Sequence, residues 1–163
     1  MSIDALTGAF AAVPIDWLVL GILAFIAAVD ILRAGARRIC VASLALPVAL
    51  LLFSTMQDAA FVNSFMAQLS APLVQTALIG GLFVVMYVLI SRLGLSWGDE
   101  SGQVLQAALG GVAFAVIVAT FWVATPELAP IWKFGAQASE IFGEQYRFFW
   151  ILGGYGIFAY IRY

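Results

Sequence analysis

The chain has no histidine and a single cysteine, Cys40, among 163 residues. It therefore lacks the donors for a His-ligated haem, a Cys/His zinc site, an iron–sulfur cluster or a Cys-x-x-Cys redox pair. One thiol closes no internal disulfide, so cysteine usage says nothing of redox compartment. Charge is equally scarce. Only 10% of residues are Asp, Glu, Lys or Arg, against roughly 25% in a soluble domain. Seven basic residues and a net charge of −2 make no basic patch for nucleic acid. The acidic pI of 4.8 rests on too few charges to define a partner.

Apolar side chains fill the space that charge leaves. With 64% hydrophobic residues and a mean hydropathy of +1.07, one core cannot hide them, because a domain this size buries only about 70% of its surface. The chain is read as an all-α, polytopic integral membrane bundle forming a single domain over residues 1–163. A membrane helix needs about 20 apolar residues, and four stretches qualify: 15–32, 39–56, 73–91 and 104–124. The first has Asp16 and Asp30 near its ends and Trp17 where an interfacial anchor belongs. A fifth stretch, 146–161, has 14 residues between Arg147 and Arg162. It is either a short span with both arginines snorkelling or a re-entrant helix. The expectation is thus five spans, or four plus a re-entrant helix.

Three connecting segments carry helical hydrophobic spacing suited to short interfacial helices or to tucking against the bundle. They are marked by Ile3, Leu6, Phe10 and Val13; by Phe61, Val62, Phe65, Met66 and Leu69; and by Ile131, Trp132, Phe134, Ala138, Ile141 and Phe142. Pro47 inside the second span is expected to kink it. The alternation of two spans and an amphipathic segment, twice over, is compatible with a duplicated unit, without self-similarity of residues to support it.

Basic residues stay on the cytoplasmic side. Arg33, Arg37 and Arg38 crowd the first loop, whereas residues 57–72 hold no Lys or Arg. With that loop inside, Arg92 and Arg162 follow it, and only Lys133 and Arg147 fall outside. The N-terminus is then outside and the C-terminus inside. Residues 1–14 lack the basic start of a cleaved signal, so the first span is expected to be retained.

Charge within the hydrocarbon usually marks transport or proton coupling, and here the second, third and fourth spans have none. Asp30 is the exception. It shares a helical face with Arg33 and Arg37, as a membrane-embedded acid with a gating role or as half of an interfacial ion pair. The cluster Arg33, Arg37 and Arg38 sets topology and is also suited to hold anionic lipid or an acidic partner. Asp99, Glu100 and Ser101 between Gly98 and Gly102 read as a turn with Ser101 or Asp99 capping the next helix; no His is present to activate the serine. In the fourth span Ala107, Gly111, Ala115 and Ala119 repeat every four residues. Such a small-residue face packs closely, within the chain or against another copy. Gly21, Ala28, Gly80, Gly81, Gly153, Gly154 and Gly156 are the counterparts that the other spans offer.

The order of features resembles the colicin V production protein family of bacterial inner-membrane proteins. The resemblance rests on Asp16-Trp17 before a first span, the turn through Arg33, Gly35 and Arg37, an apolar second span and an amphipathic link. The Asp99–Gly102 turn and a fourth span containing Gly110 complete it. It covers residues 15–125, mainly as topology. The family carries a Glu soon after the arginine turn, where this chain has Ile39 or Cys40. It also carries an Arg-Gly pair early in the fourth span, where this chain has Ala113-Phe114. No functional residue is carried across. The resemblance implies a role in toxin production or envelope maintenance with no established reaction.

The expectation is a non-enzymatic membrane subunit or scaffold without cofactors. Its partners are the lipid bilayer and other membrane proteins or a second copy. The alternative is a small oligomeric pore or transporter for neutral or apolar solutes. A pore needs a polar stripe along a span. Gln103 and Gln106 supply one only at the inner end of the fourth, and Ser43, Ser54, Thr76, Ser91 and Thr120 are scattered.

Overall fold

A computed structural model describes residues 14–58, 71–93 and 103–161. The described residues form helices and turns with no strand. Four helices are long and apolar enough to cross a membrane: α1 (Ile15–Ala34), α2 (Arg37–Asp58), α3 (Pro72–Arg92) and α4 (Val104–Ala124). A 3₁₀ turn (Pro126–Leu128), a six-residue helix α5 (Ala136–Ile141) and a 15-residue helix α6 (Arg147–Ile161) follow. At 1.5 Å per residue α6 is about 22 Å long, shorter than a hydrocarbon core of about 30 Å.

Local chemistry sets the boundaries. Gly35 has φ 77°, a left-handed conformation open to glycine, and its N–H bonds the Ile31 carbonyl at 3.0 Å. The chain reverses there and α2 begins two residues later. Pro72 starts α3 at a position where a missing N–H costs nothing. The N-cap of α4 is Gln103, whose N–H reaches Gln106 Oε1 at 3.4 Å. Ser101 and Asp99, the caps expected from sequence, lie outside the described residues.

Helix α4 is the axis of the bundle and the most buried of the four. Lipid tails are as apolar as leucine, so close packing rather than water exclusion holds membrane helices together. Small residues on α4 permit that approach. Ala107, Gly110, Gly111, Ala113, Ala115 and Ala119 are all buried, and α1 makes the broadest helix interface with α4. Leu20 clusters with Ala119, and Gly110 meets Ile31, so these helices are antiparallel. On α6, Gly154 meets Ile117 and Ala113. The α2–α3 pair is antiparallel too, with Phe53 near Ile79 and Val41 near Ile90. It joins α4 through Cys40 at one end and Phe53, Leu128 and Trp122 at the other.

Helix α2 runs through Pro47 without a break. Helical spacing over 131–142 is realised only at Ala136–Ile141. Ile131–Gly135 is non-helical, because its polar groups are drawn into bonds with the bundle, described below. The other two amphipathic segments, residues 1–13 and 61–69, lie outside the described residues.

Candidate functional site

At the end of the bundle where α1 stops and α2 starts, Arg33 and Arg38 are exposed and Arg37 is half-buried. Asp30 Oδ1 lies 3.8 Å from Arg38 Nη1, with the two side chains 34% and 65% exposed. A pair so accessible to solvent adds little stability. The expected partners, Arg33 and Arg37, are not the ones used. The turn at Gly35 ends the helical face that Asp30 would share with Arg37. Arg37 instead donates from Nη2 to the Ser91 carbonyl at 3.2 Å, tying the start of α2 to the end of α3. The three arginines thus divide between a helix tie, an ion pair and an exposed cation.

The small-residue face of α4 lies against α1. A Cβ on Gly111 would collide with the Ala24 carbonyl oxygen and stand 2.9 Å from Ala28 Cβ. Ala28 of α1 is thus the counterpart on this face; Gly154 of α6 packs on another side of α4, against Ile117 and Ala113, whereas Gly21, Gly80, Gly81, Gly153 and Gly156 have nothing within 4 Å of such a Cβ.

The opposite end carries the densest polar network of the described residues. Asp16, the second residue of α1, is 6% exposed. Its Oδ2 accepts the Gly135 N–H at 2.7 Å and its Oδ1 accepts Trp132 Nε1–H at 3.2 Å. The Trp132 carbonyl in turn accepts Trp122 Nε1–H at 2.8 Å. Trp150 Nε1–H donates to the Ile141 carbonyl at 2.7 Å, and Trp17 Nε1–H to Gln137 Oε1 at 3.4 Å. The four described tryptophans thus all serve the segment 125–146, which closes this end as a cap. Thr76 Oγ1, 2.7 Å from the Glu127 carbonyl and 3.0 Å from that of Pro72, links the cap to α3.

Between the ends, hydroxyls are used up locally. Ser43, Ser54, Thr55, Ser91 and Thr120 each donate to a carbonyl three or four residues earlier in their own helix. Tyr155 of α6 donates from Oη to the Ser43 carbonyl at 2.7 Å. That carbonyl lies four residues before Pro47, which has no N–H to offer it. Three cavities adjoin these elements, of 430 Å³ between α4 and α6, 310 Å³ between the α2–α3 pair and the α1–α4 pair, and 230 Å³ under the cap. Among the described residues no three of Cys, Asp and Glu come together as metal donors.

Neither Asp16 as a hydrogen-bond acceptor nor Tyr155 is marked out by the sequence expectations. An acid followed by tryptophan at a span boundary was the available signal for the first. For the second it was Pro47, which leaves the Ser43 carbonyl in need of a donor from elsewhere. Compared with known proteins, the chain matches no family model, no curated protein and no solved structure.

Proposed function

We propose that this protein is a non-enzymatic subunit or scaffold of a bacterial-type inner membrane, engaging lipid and partner membrane proteins through its outer helix faces. The observation that carries the reading is the fate of its polar groups. Every Ser and Thr hydroxyl of α1–α4 donates to a backbone carbonyl, which leaves no ladder of free hydroxyl donors along these helices for water or solute to follow. Helix α3 is the least buried of the four. It turns Leu73, Val84, Val85 and Leu89 outward, a face suited to lipid or to another membrane helix. With the colicin V production resemblance, this reading extends to a role in toxin production or envelope maintenance. The basic residues orient it with the N-terminus outside and the arginine end in the cytoplasm.

Two measurements test this. Purification from native membranes in mild detergent is expected to yield a stoichiometric membrane partner. Liposomes containing the protein are expected to pass ions and neutral solutes no faster than empty ones. Flux above that background overturns the scaffold reading in favour of the oligomeric pore.

A further inference from the structure

The 430 Å³ cavity is a groove running along the outside of the α4–α6 seam. Its floor is Gly153 and Gly154, its far wall includes Val112 and Val116, and its capped end is lined by Tyr146 and Trp150. Val112 is 51% exposed and Leu152, beside the floor, 60%, so the groove opens sideways to whatever surrounds the bundle. An apolar cavity does not hold water. From Tyr146 to Ile157, the limits of its α6 lining, the helix rises about 16 Å, close to half of a hydrocarbon core of about 30 Å. That is the length of chain one leaflet supplies.

A cation stands at the same end. Arg147 follows Tyr146 and shares its helix face with Trp150 and Gly154. Its Nε is buried with no hydrogen-bond partner. Among the described residues the only ion pair is Asp30–Arg38, at the other end of the bundle. The side chain as a whole is half-buried, so an anion arriving at this end meets a guanidinium with no ion-pair partner among the described residues, and the positive end of the α6 dipole favours an anion at the same place.

We propose that the α4–α6 groove is a binding site for an anionic phospholipid, with one acyl chain over Gly153 and Gly154 and the phosphate at Arg147. The site requires membrane insertion and is independent of the scaffold role, so solute flux would overturn that role and leave this site intact.

Trp150 lies in the groove and reports on it. The full chain is reconstituted in phosphatidylcholine vesicles containing a minor fraction of acyl-brominated phosphatidylglycerol or, separately, acyl-brominated phosphatidylcholine. The Trp150 signal is the difference between each protein and its Trp150→Phe counterpart. Quenching by the anionic label is expected to exceed that by the zwitterionic one, reflecting about fivefold preferential binding, or about 1 kcal/mol for one basic residue. Arg147→Gln removes the preference. Gly153→Leu, whose side chain projects into open space, fills the groove and removes the excess quenching. Gly156→Leu, equally unobstructed but outside the lining, leaves it unchanged and controls for folding. Equal quenching by both labels, or quenching indifferent to Gly153→Leu, overturns the proposal.

Discussion

The contact between Tyr155 and the Ser43 carbonyl, 2.7 Å long, makes a sharp prediction because its reason lies in a third residue. In an uninterrupted helix the N–H at position 47 would bond the carbonyl at 43; Pro47 withholds it. Lipid offers no replacement donor, so the Tyr155 hydroxyl completes a ladder that α2 cannot complete alone. Side-chain hydrogen bonds between membrane helices average about 0.6 kcal/mol and reach about 1.7, because separated helices find other partners. Here the separated α2 still lacks the Pro47 N–H, which puts the bond at the upper end. Tyr155→Phe is expected to cost about 1.5 kcal/mol. In a Pro47→Ala background, where the backbone supplies the donor, the same change is expected to cost about 0.5 kcal/mol, a coupling near 1 kcal/mol in a double-mutant cycle. Reversible unfolding in mixed detergent micelles, followed by tryptophan emission, measures all four proteins. Equal costs of Tyr155→Phe in both backgrounds would refute the reasoning, whatever Pro47→Ala does by itself.

Three further outcomes are expected. Gly111→Ala forces a methyl against the Ala24 carbonyl and is expected to lose about 3 kcal/mol in the same unfolding assay, while Gly80→Ala, with open space around it, stays within about 1 kcal/mol of the parent or gains helix propensity. Asp16→Ala strips the acceptor from Gly135 N–H and Trp132 Nε1–H, for a loss of about 2–3 kcal/mol; protease cutting within 125–146 should accelerate, and unchanged digestion would show that the cap does not depend on Asp16. Cys40 is 1% exposed and should resist thiol reagents until the protein unfolds, so the orientation is tested in a Cys40→Ala background. There Arg38→Cys should label from the cytoplasmic side and Lys133→Cys from the outer side.

The long helices were legible because bilayer thickness imposes a length and polarity rule that acts within one segment at a time. The expected spans 39–56 and 73–91 lie inside α2 and α3, short of the helix ends by one to two residues. What was not legible depends on residues brought together from distant parts of the chain. Asp16 and Gly135 are 119 positions apart, and nothing in either neighbourhood announces the other. Asp30 shows the same limit at short range. A face shared with Arg37 requires an unbroken helix, and a left-handed Gly35 instead sends Arg37 to α3 and brings Arg38 forward to Asp30. The spacing of Ile131–Phe142 misled for a related reason, since bonds from Asp16 and Trp122 hold residues 132–135 out of a helix that hydrophobic periodicity alone would favour.

These observations share one cause. In a bundle where apolar burial between helices gains little over lipid, the few polar groups decide which helices stay together and in what register. Arg37 joins α2 to α3, Tyr155 joins α6 to α2, Thr76 joins α3 to the cap and Asp16 joins the cap to α1. Each link connects elements that the small-residue packing of α1, α4 and α6 would not by itself position. Scarcity of polar residues is therefore what makes each one specific: with few donors and acceptors at these depths, a misplaced helix leaves a carbonyl or carboxylate unpaired in lipid and has no second partner to turn to.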